Sequence, residues 1–317
     1  MNCQHCESAD TKKFGKDRNG NQRYRCLACK KTFSERHARP LGDMRLPLDK
    51  ALSVIQLLVE GCSIRSIERI TGVEKRTILH LLEVVGERCE KLLADRIQNV
   101  PVKAIAADEI WGFSYCKEKT KGKLHRENDD TIGDAYCFVA IETTNKLIIA
   151  WHLGRRTSED TVLFTEKINK ATAGYGFDVY TDGFTPYKDA MVYSLGAKHI
   201  NFAQIVKQFG LLEGDDHKYS PSTVIGIEKT AVFGNPDMKR ATTSHVERQN
   251  LTIRMSMRRM TRLTNGFSKK LENLKHSYAL QFAYYNFCRV HMTLRVTPAM
   301  EAGLTGHIWT LRELIEG

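Results

Sequence analysis

No run of about 18 consecutive apolar residues occurs in the chain, so no segment is expected to span a membrane. The opening segment MNCQHCESADTKK has no apolar core of the kind a signal peptide carries, and the expectation is a protein kept in the cytoplasm. Internal repeats and low-complexity tracts are missing, which excludes repeat architectures. No Pro- or Ser-rich linker marks a domain boundary either. The boundary expected near Asn99–Pro101 rests only on a change from helical to strand-like patterning.

What is present is a folded chain with a basic surface. With 317 residues, a formal charge of +11 and 42% hydrophobic residues, it has material for two or three domains and a sizeable core. A charge of that sign favours a polyanionic partner, nucleic acid before membrane. Of nine cysteines, four fall in two CxxC pairs and five are scattered, which argues for a reducing compartment and a metal site.

Residues 1–40 carry Cys3-x2-Cys6, nineteen intervening residues, and Cys26-x2-Cys29. Each CxxC turn aims two thiolates at one centre, and two such turns complete a tetrahedral sulfur site that suits zinc. Asn19-Gly20 is a turn signal between two short strand candidates, so the segment is expected to be a zinc ribbon that needs its Zn2+ to fold. A pair of redox CxxC motifs is the competing reading, but neither has strand–helix–strand context. His5 is a further ligand type, but the four cysteines already fill the shell. Lys12, Lys13, Arg18, Arg23, Arg25, Lys30 and Lys31 offer contacts to a DNA backbone, or simply a soluble face.

Residues 47–98 read as helices. Pro47 opens one that carries Leu48, Ala51, Leu52, Ile55, Leu58 and Val59 at helical spacing, and Gly61 ends it. Ser63 caps a second, with Ile64, Ile67 and Ile70 inward, and Gly72 sits in a short turn before a third. The spacing is that of a helix-turn-helix, or of an ordinary helical hairpin. As a helix-turn-helix, its last helix would offer Glu74, Lys75, Arg76, Thr77 and His80 to a DNA groove. Residues 86–100 are expected to form a helical connector.

From Val102 the pattern changes. VKAIAADEIW is expected to be a strand ending in Asp108, DAYCFVAIE and KLIIAWHLG two more joined at Thr144-Asn145, and FDVYTD a fourth ending in Asp182. Ser158 is expected to cap a helix through Ala173, FTPYKDAMVYSL to form another, and AKHINF a short fifth strand. Three strands, a helix, a strand, a helix and a strand is the order of a ribonuclease H-like fold over residues 101–300, a mixed sheet flanked by helices. Residues 203–242 suit a β-hairpin or an insertion, and 301–317 form a tail. Trp111, Tyr115, Tyr187 and Trp151 are expected to be mostly core, or to stack on unpaired bases.

The segment Thr243–Arg262 contains neither proline nor glycine and is expected to be one helix of about five turns, placing Glu247, Arg254 and Arg258 on one face. A lone acid in a basic helix is ordinarily a solvated pairing partner. Asp108 and Asp182 change that weighting, because three carboxylates that a fold can gather are what two Mg2+ or Mn2+ ions need for phosphoryl transfer. Glu109, Asp178, Asp189, Asp215 and Asp216 are rival acids. Alternation along the strand should turn Glu109 away from Asp108.

The motifs CQHC, YRCLACKKTF, SIRSIERITGV, ADEIW, YTDGF and HVERQNLTIRMSMRRMTR together resemble a transposase of the insertion sequence one family, over nearly the whole chain. The resemblance implies a catalytic triad of Asp108, Asp182 and Glu247, with Arg254 on phosphate. It also implies Mg-dependent cleavage at terminal inverted repeats and strand transfer to target DNA, by a homo-oligomer at the prokaryotic nucleoid. Tyr285-Asn286-Phe287 to His291, followed by Thr297-Pro298-Ala299, resembles the tail of wider DDE families, with His291 expected to pack. Two other readings stand beside it: a DNA-binding regulator with an inactive catalytic domain, and a structure-specific nuclease.

Overall fold

The computed structural model describes residues 2–17, 22–34, 40–42, 44–210 and 223–316, in two compact units, 1–43 and 44–317. Asn19-Gly20, Arg18, Asp215 and Asp216 lie outside the described residues.

In the first unit, β1 (Thr11–Lys16), β2 (Gln22–Cys26) and β3 (Thr32–Ser34) form an antiparallel three-stranded sheet in that order. Among the described residues its core cluster is small: Cys3, Cys26 and Phe33, with Tyr24 and Cys29 against them, and Leu41 is also buried. That cluster alone does not offset the entropy of ordering the segment.

The second unit begins with α1 (Leu48–Val59), α2 (Ile64–Thr71) and α3 (Lys75–Arg96). Ser63 Oγ accepts from the Ser66 N–H, and Gly72, at φ 67°, ends α2 in the left-handed region that glycine adopts without cost. Ile67 is buried as expected, whereas Ile70 is 63% exposed. The expected connector does not exist as a separate element, since α3 runs unbroken for 22 residues.

Two short strands follow the helices at a distance, β4 (Val100–Pro101) and, paired with it, β8 (Thr172–Ala173). Between them come β5 (Ala104–Ser114), β6 (Gly133–Glu142), β7 (Ile148–Gly154) and α4 (Ser158–Ala171). After them come β9 (Phe177–Thr181), α5 (Pro186–Ser194), β10 (Ile200–Gly210) and β11 (Thr223–Phe233). The chain ends in α6 (Ser244–Ser256), α7 (Leu271–Ala283), α8 (Pro298–Glu301) and α9 (Leu311–Glu316). The main sheet is mixed, in the order β11-β10-β9-β5-β6-β7, with β5, β9 and β10 parallel and the other pairings antiparallel.

Helices cover both faces, and side-chain alternation sorts them. Phe138 on β6 lies opposite His152 on β7 and packs on Phe164 of α4 and Tyr187 of α5. The next pair, Val139 and Trp151, faces the other way, where Trp151 meets Tyr278 and Phe282 of α7. Helix α3 packs along α7 through Gly86, where an added Cβ would stand 2.4 Å from the His276 Cβ. Helices α1, α2 and α3 fall in one compact unit with the sheet.

Several element bounds differ from expectation, and α4, expected through Ala173, stops at Ala171, with Thr172 and Ala173 in β8. Thr157, not Ser158, caps α4, accepting from the Asp160 N–H. The strand expected over AKHINF continues to Gly210 and pairs with β11, so the stretch after it is in part a long hairpin. The expected five-turn helix stops at Ser256. Met257 turns extended, and a single 3-10 turn holds Arg258–Met260. The Arg254 guanidinium donating to the Met260 carbonyl and the Thr261 hydroxyl donating to the Arg254 carbonyl fold the chain back at that point. No helix among the described residues is long and apolar enough to cross a membrane.

Candidate functional site

The acidic site follows from strand register. The parallel strands β5 and β9 are paired up to Ala107↔Thr181, and the next residues along them are Asp108 and Asp182. Strand β9 ends there, while β5 continues to Ser114, so Asp108 lies mid-strand and not at a strand end as its sequence context had suggested. Asp108 lies opposite Val139, on the face of α6, where Asn250 donates to its Oδ2 at 2.8 Å. Glu109 lies opposite Phe138, on the face of α5, as alternation requires. Its longer side chain nevertheless brings its carboxylate back: ligand oxygens of Asp108, Glu109 and Asp182 all lie within 4.8 Å of one another and can hold a metal ion.

Arg156, in the turn between β7 and α4, ties Glu109 and Asp182 together. Its Nε lies 3.1 Å from Glu109 Oε2 and its Nη2 3.6 Å from Asp182 Oδ2, with the guanidinium stacked over Phe184. Asp182 Oδ1 accepts from the Phe184 N–H, and Gln204 Nε2 donates to the Asp182 and Phe184 carbonyls, which fixes the loop. One cation does not compensate three acids in a partly buried setting. Burial, then the charges of Glu109 and Asp182, pushes the Asp108 carboxyl up to about 7. Burial, then the charge of Asp182, raises Glu109 to about 7 as well. The buried Tyr187 hydroxyl faces the Glu109 carboxylate, which opposes part of that rise in Glu109 and helps hold the tyrosine well above its ordinary value after burial.

Glu247 stands in the first turn of α6, outside the trio. Lys207 of β10 bonds both of its carboxylate oxygens, and the Thr243 hydroxyl donates to Oε1 at 2.6 Å. It is near enough that its charge adds to the raising of Asp108. Arg156 and Lys207 carried no sequence signal, since a lone arginine after a strand and a lone lysine in a strand look like solvated surface residues. Glu109 was visible only as a rival.

The basic residues divide. Lys75, Arg76 and His80 at the start of α3 are exposed and Thr77 half-buried, with Arg76 3.9 Å from Glu74 and His80 3.3 Å from Glu83. Arg258 is exposed on its 3-10 turn. Arg254 is half-buried and donates to the Met260 and Trp111 carbonyls, so its guanidinium braces β5 instead of standing free. His291 is not in the acid cluster and packs edge-on against Tyr285. Trp151 and Tyr187 are core, while Tyr115 is 40% exposed beneath Arg126 and Lys269.

In the first unit, Cys3, Cys6, Cys26 and Cys29 converge within 4.8 Å. Cys3 Sγ stands 3.6 Å from Cys29 Sγ, and Cys6 Sγ 3.6 Å from Cys26 Sγ. Disulfides need about 2.05 Å, whereas tetrahedral thiolates each about 2.3 Å from a zinc ion stand about 3.8 Å apart. The His5 N–H points at Cys3 Sγ, and the Cys29 N–H points at Cys26 Sγ, the largest of the influences that lower that thiol to about 7.

Comparison with protein-family models and with curated proteins returns no match.

Proposed function

We propose that the chain is a DNA transposase of an insertion sequence, which binds terminal inverted repeats, cleaves DNA strands and joins them to target DNA. The observation that carries this reading is Asp108 and Asp182 side by side beyond the last rung of adjacent parallel strands, with Glu247 across from them on a later helix. The strand order β7-β6-β5-β9-β10, with three antiparallel strands followed by two parallel ones, supports a ribonuclease H-like catalytic domain.

Asp108 and Asp182 would hold the catalytic Mg2+ or Mn2+, with Glu109 or Glu247 completing the set; carboxylate oxygens suit such hard cations. Bound there, a pair of these ions would activate the attacking oxygen and stabilise the leaving oxygen of a phosphodiester. Asn250 fixes the direction of Asp108, Arg156 keeps Asp182 and Glu109 together, and Lys207 balances Glu247. The cysteine unit would hold a structural Zn2+ as a zinc ribbon. The start of α3 would present Lys75, Arg76, Thr77 and His80 to DNA, and a homo-oligomer would bring two ends together.

The test is strand cleavage and joining on labelled DNA carrying the flanking ends, with Mg2+ or Mn2+, wild type beside Asp182→Asn. Joined products from wild type alone are expected. Cleavage without joining would make the chain a nuclease, and binding without either reaction a regulator.

A further inference from the structure

A cavity of about 720 Å³ lies between the α1–α2 turn, α3, α7 and the segment after α6. Arg65, Lys75, Arg258, Arg259 and Lys269 line it, and no carboxylate among the described residues does. Arg259 is the least solvated of the five. Its Nη1 donates to Ser268 Oγ at 2.8 Å, while its Nη2 is buried without a partner. Burial is the one influence on that guanidinium, lowering it to about 10, and it stays charged at neutral pH. A buried cation with no counter-charge is costly unless something else supplies the anion.

A second orphan faces the same space. Gln281 on α7 is 1% exposed and lines the cavity, and neither atom of its carboxamide has a partner. Buried polar groups are nearly always paired, so two unsatisfied groups of different chemistry in one cavity point to one ligand. That ligand offers an anionic oxygen to Arg259 and both a donor and an acceptor to Gln281. It also offers an apolar surface to the wall of Leu79, Leu82 and Leu280. A carboxamide matches the donor and acceptor on the edge of adenine.

We propose that this cavity binds one nucleotide, its phosphate on Arg259 within the ring of cations and its base edge on Gln281. The nucleotide is either free or an unpaired unit of a DNA strand. A neighbouring cavity of about 580 Å³ shares Arg259, Asn265 and Phe267, adds Lys117, Arg254 and Arg262, and reaches Trp111 on the strand that bears Asp108. A cationic path from the acid-bearing strand to the nucleotide cavity favours the strand-borne source.

The experiment titrates the full-length protein calorimetrically with deoxyadenosine monophosphate, deoxycytidine monophosphate, deoxyadenosine and inorganic phosphate. In parallel it follows the fluorescence of 8-vinyladenine, which keeps the 6-amino group and N7 of adenine, placed either unpaired or paired in a duplex. Saturable binding of the monophosphate, at least tenfold tighter than the nucleoside or phosphate, indicates a free nucleotide. A fluorescence change with the unpaired probe alone indicates a strand-borne one. In either case Arg259→Met should abolish the signal without lowering the melting temperature of the ligand-free protein, and Gln281→Leu should erase the preference for adenine over cytosine. If Arg259→Met does not fold, Gln281→Leu and Lys269→Ala carry the test. Neither signal in wild type, or signals indifferent to these substitutions, would overturn the proposal. Asp182→Asn should bind the nucleotide like wild type, so failure here is separable from failure of the transposase reading.

Discussion

Lys207 bonds both carboxylate oxygens of Glu247, reaching from β10 to the first turn of α6. The pairing balances Glu247 locally and limits how much negative charge the neighbouring trio experiences. Lys207→Met should therefore leave Glu247 free to join Asp108 and tighten Mn2+ binding several-fold, while weakening metal-free stability. Calorimetric titration with Mn2+ checks this, and an unchanged affinity would place Glu247 outside the metal set.

Asp108 and Asn250 make a pH argument with Glu109. Both Asp108 and Glu109 sit at about 7 in the metal-free fold, above their ordinary 3.8 and 4.5. The folded chain thus binds more protons than the unfolded chain between these values, and this contribution is lost as pH rises through 7. The melting temperature without metal should fall from pH 6 to pH 8. Added Mg2+ should recover most of that loss, because the cation replaces the protons. A flat metal-free profile, or one unaltered in Glu109→Gln, would contradict the shifts.

Arg254 is expected to act on stability more than on DNA. Its guanidinium donates to the Met260 and Trp111 carbonyls, and Arg254→Ala should cost about 2 kcal/mol, since both carbonyls lose charged donors. Denaturant melts measure this. A large change in the salt dependence of DNA binding, with stability intact, would instead restore the phosphate role implied by the family resemblance.

The first unit is expected to depend on the Zn2+ proposed for its four cysteines. Cys26→Ser should release zinc and remove the melting of residues 1–43 while leaving the transition of 44–317 in place, because each unit has its own core. Zinc quantitation with calorimetry reads both effects. Loss of both transitions would mean the units are not independent.

Gly86 packs where α3 meets α7. Gly86→Ala gains about 1 kcal/mol of helix propensity but forces a Cβ against the His276 Cβ, an overpacking cost of about 1–3 kcal/mol. The expected net effect is a lower melting temperature, and a higher one would show that α3 and α7 can separate.

Local chemistry was legible in the sequence. The CxxC spacing anticipated the convergence of four sulfurs, Ser63 and Gly72 marked the ends of α2, and the order of strands and helices gave a mixed sheet flanked by helices. Each of these follows from a few neighbouring residues. Where strands and helices stop depends on contacts from elsewhere, which is why β5 runs past Asp108 and why α6 ends at Ser256. Pairing register brought Asp108 beside Asp182, and the end of β9 let Glu109 fold back to them. Arg156, Lys207 and Asn250 became partners of the acids only across 26 to 142 positions of sequence. The sequence by itself determined which side chains this protein has for metal and phosphate chemistry. The tertiary structure decided which of them meet, because charge and hydrogen bonding act over a few ångströms that strand register and helix packing alone bring about.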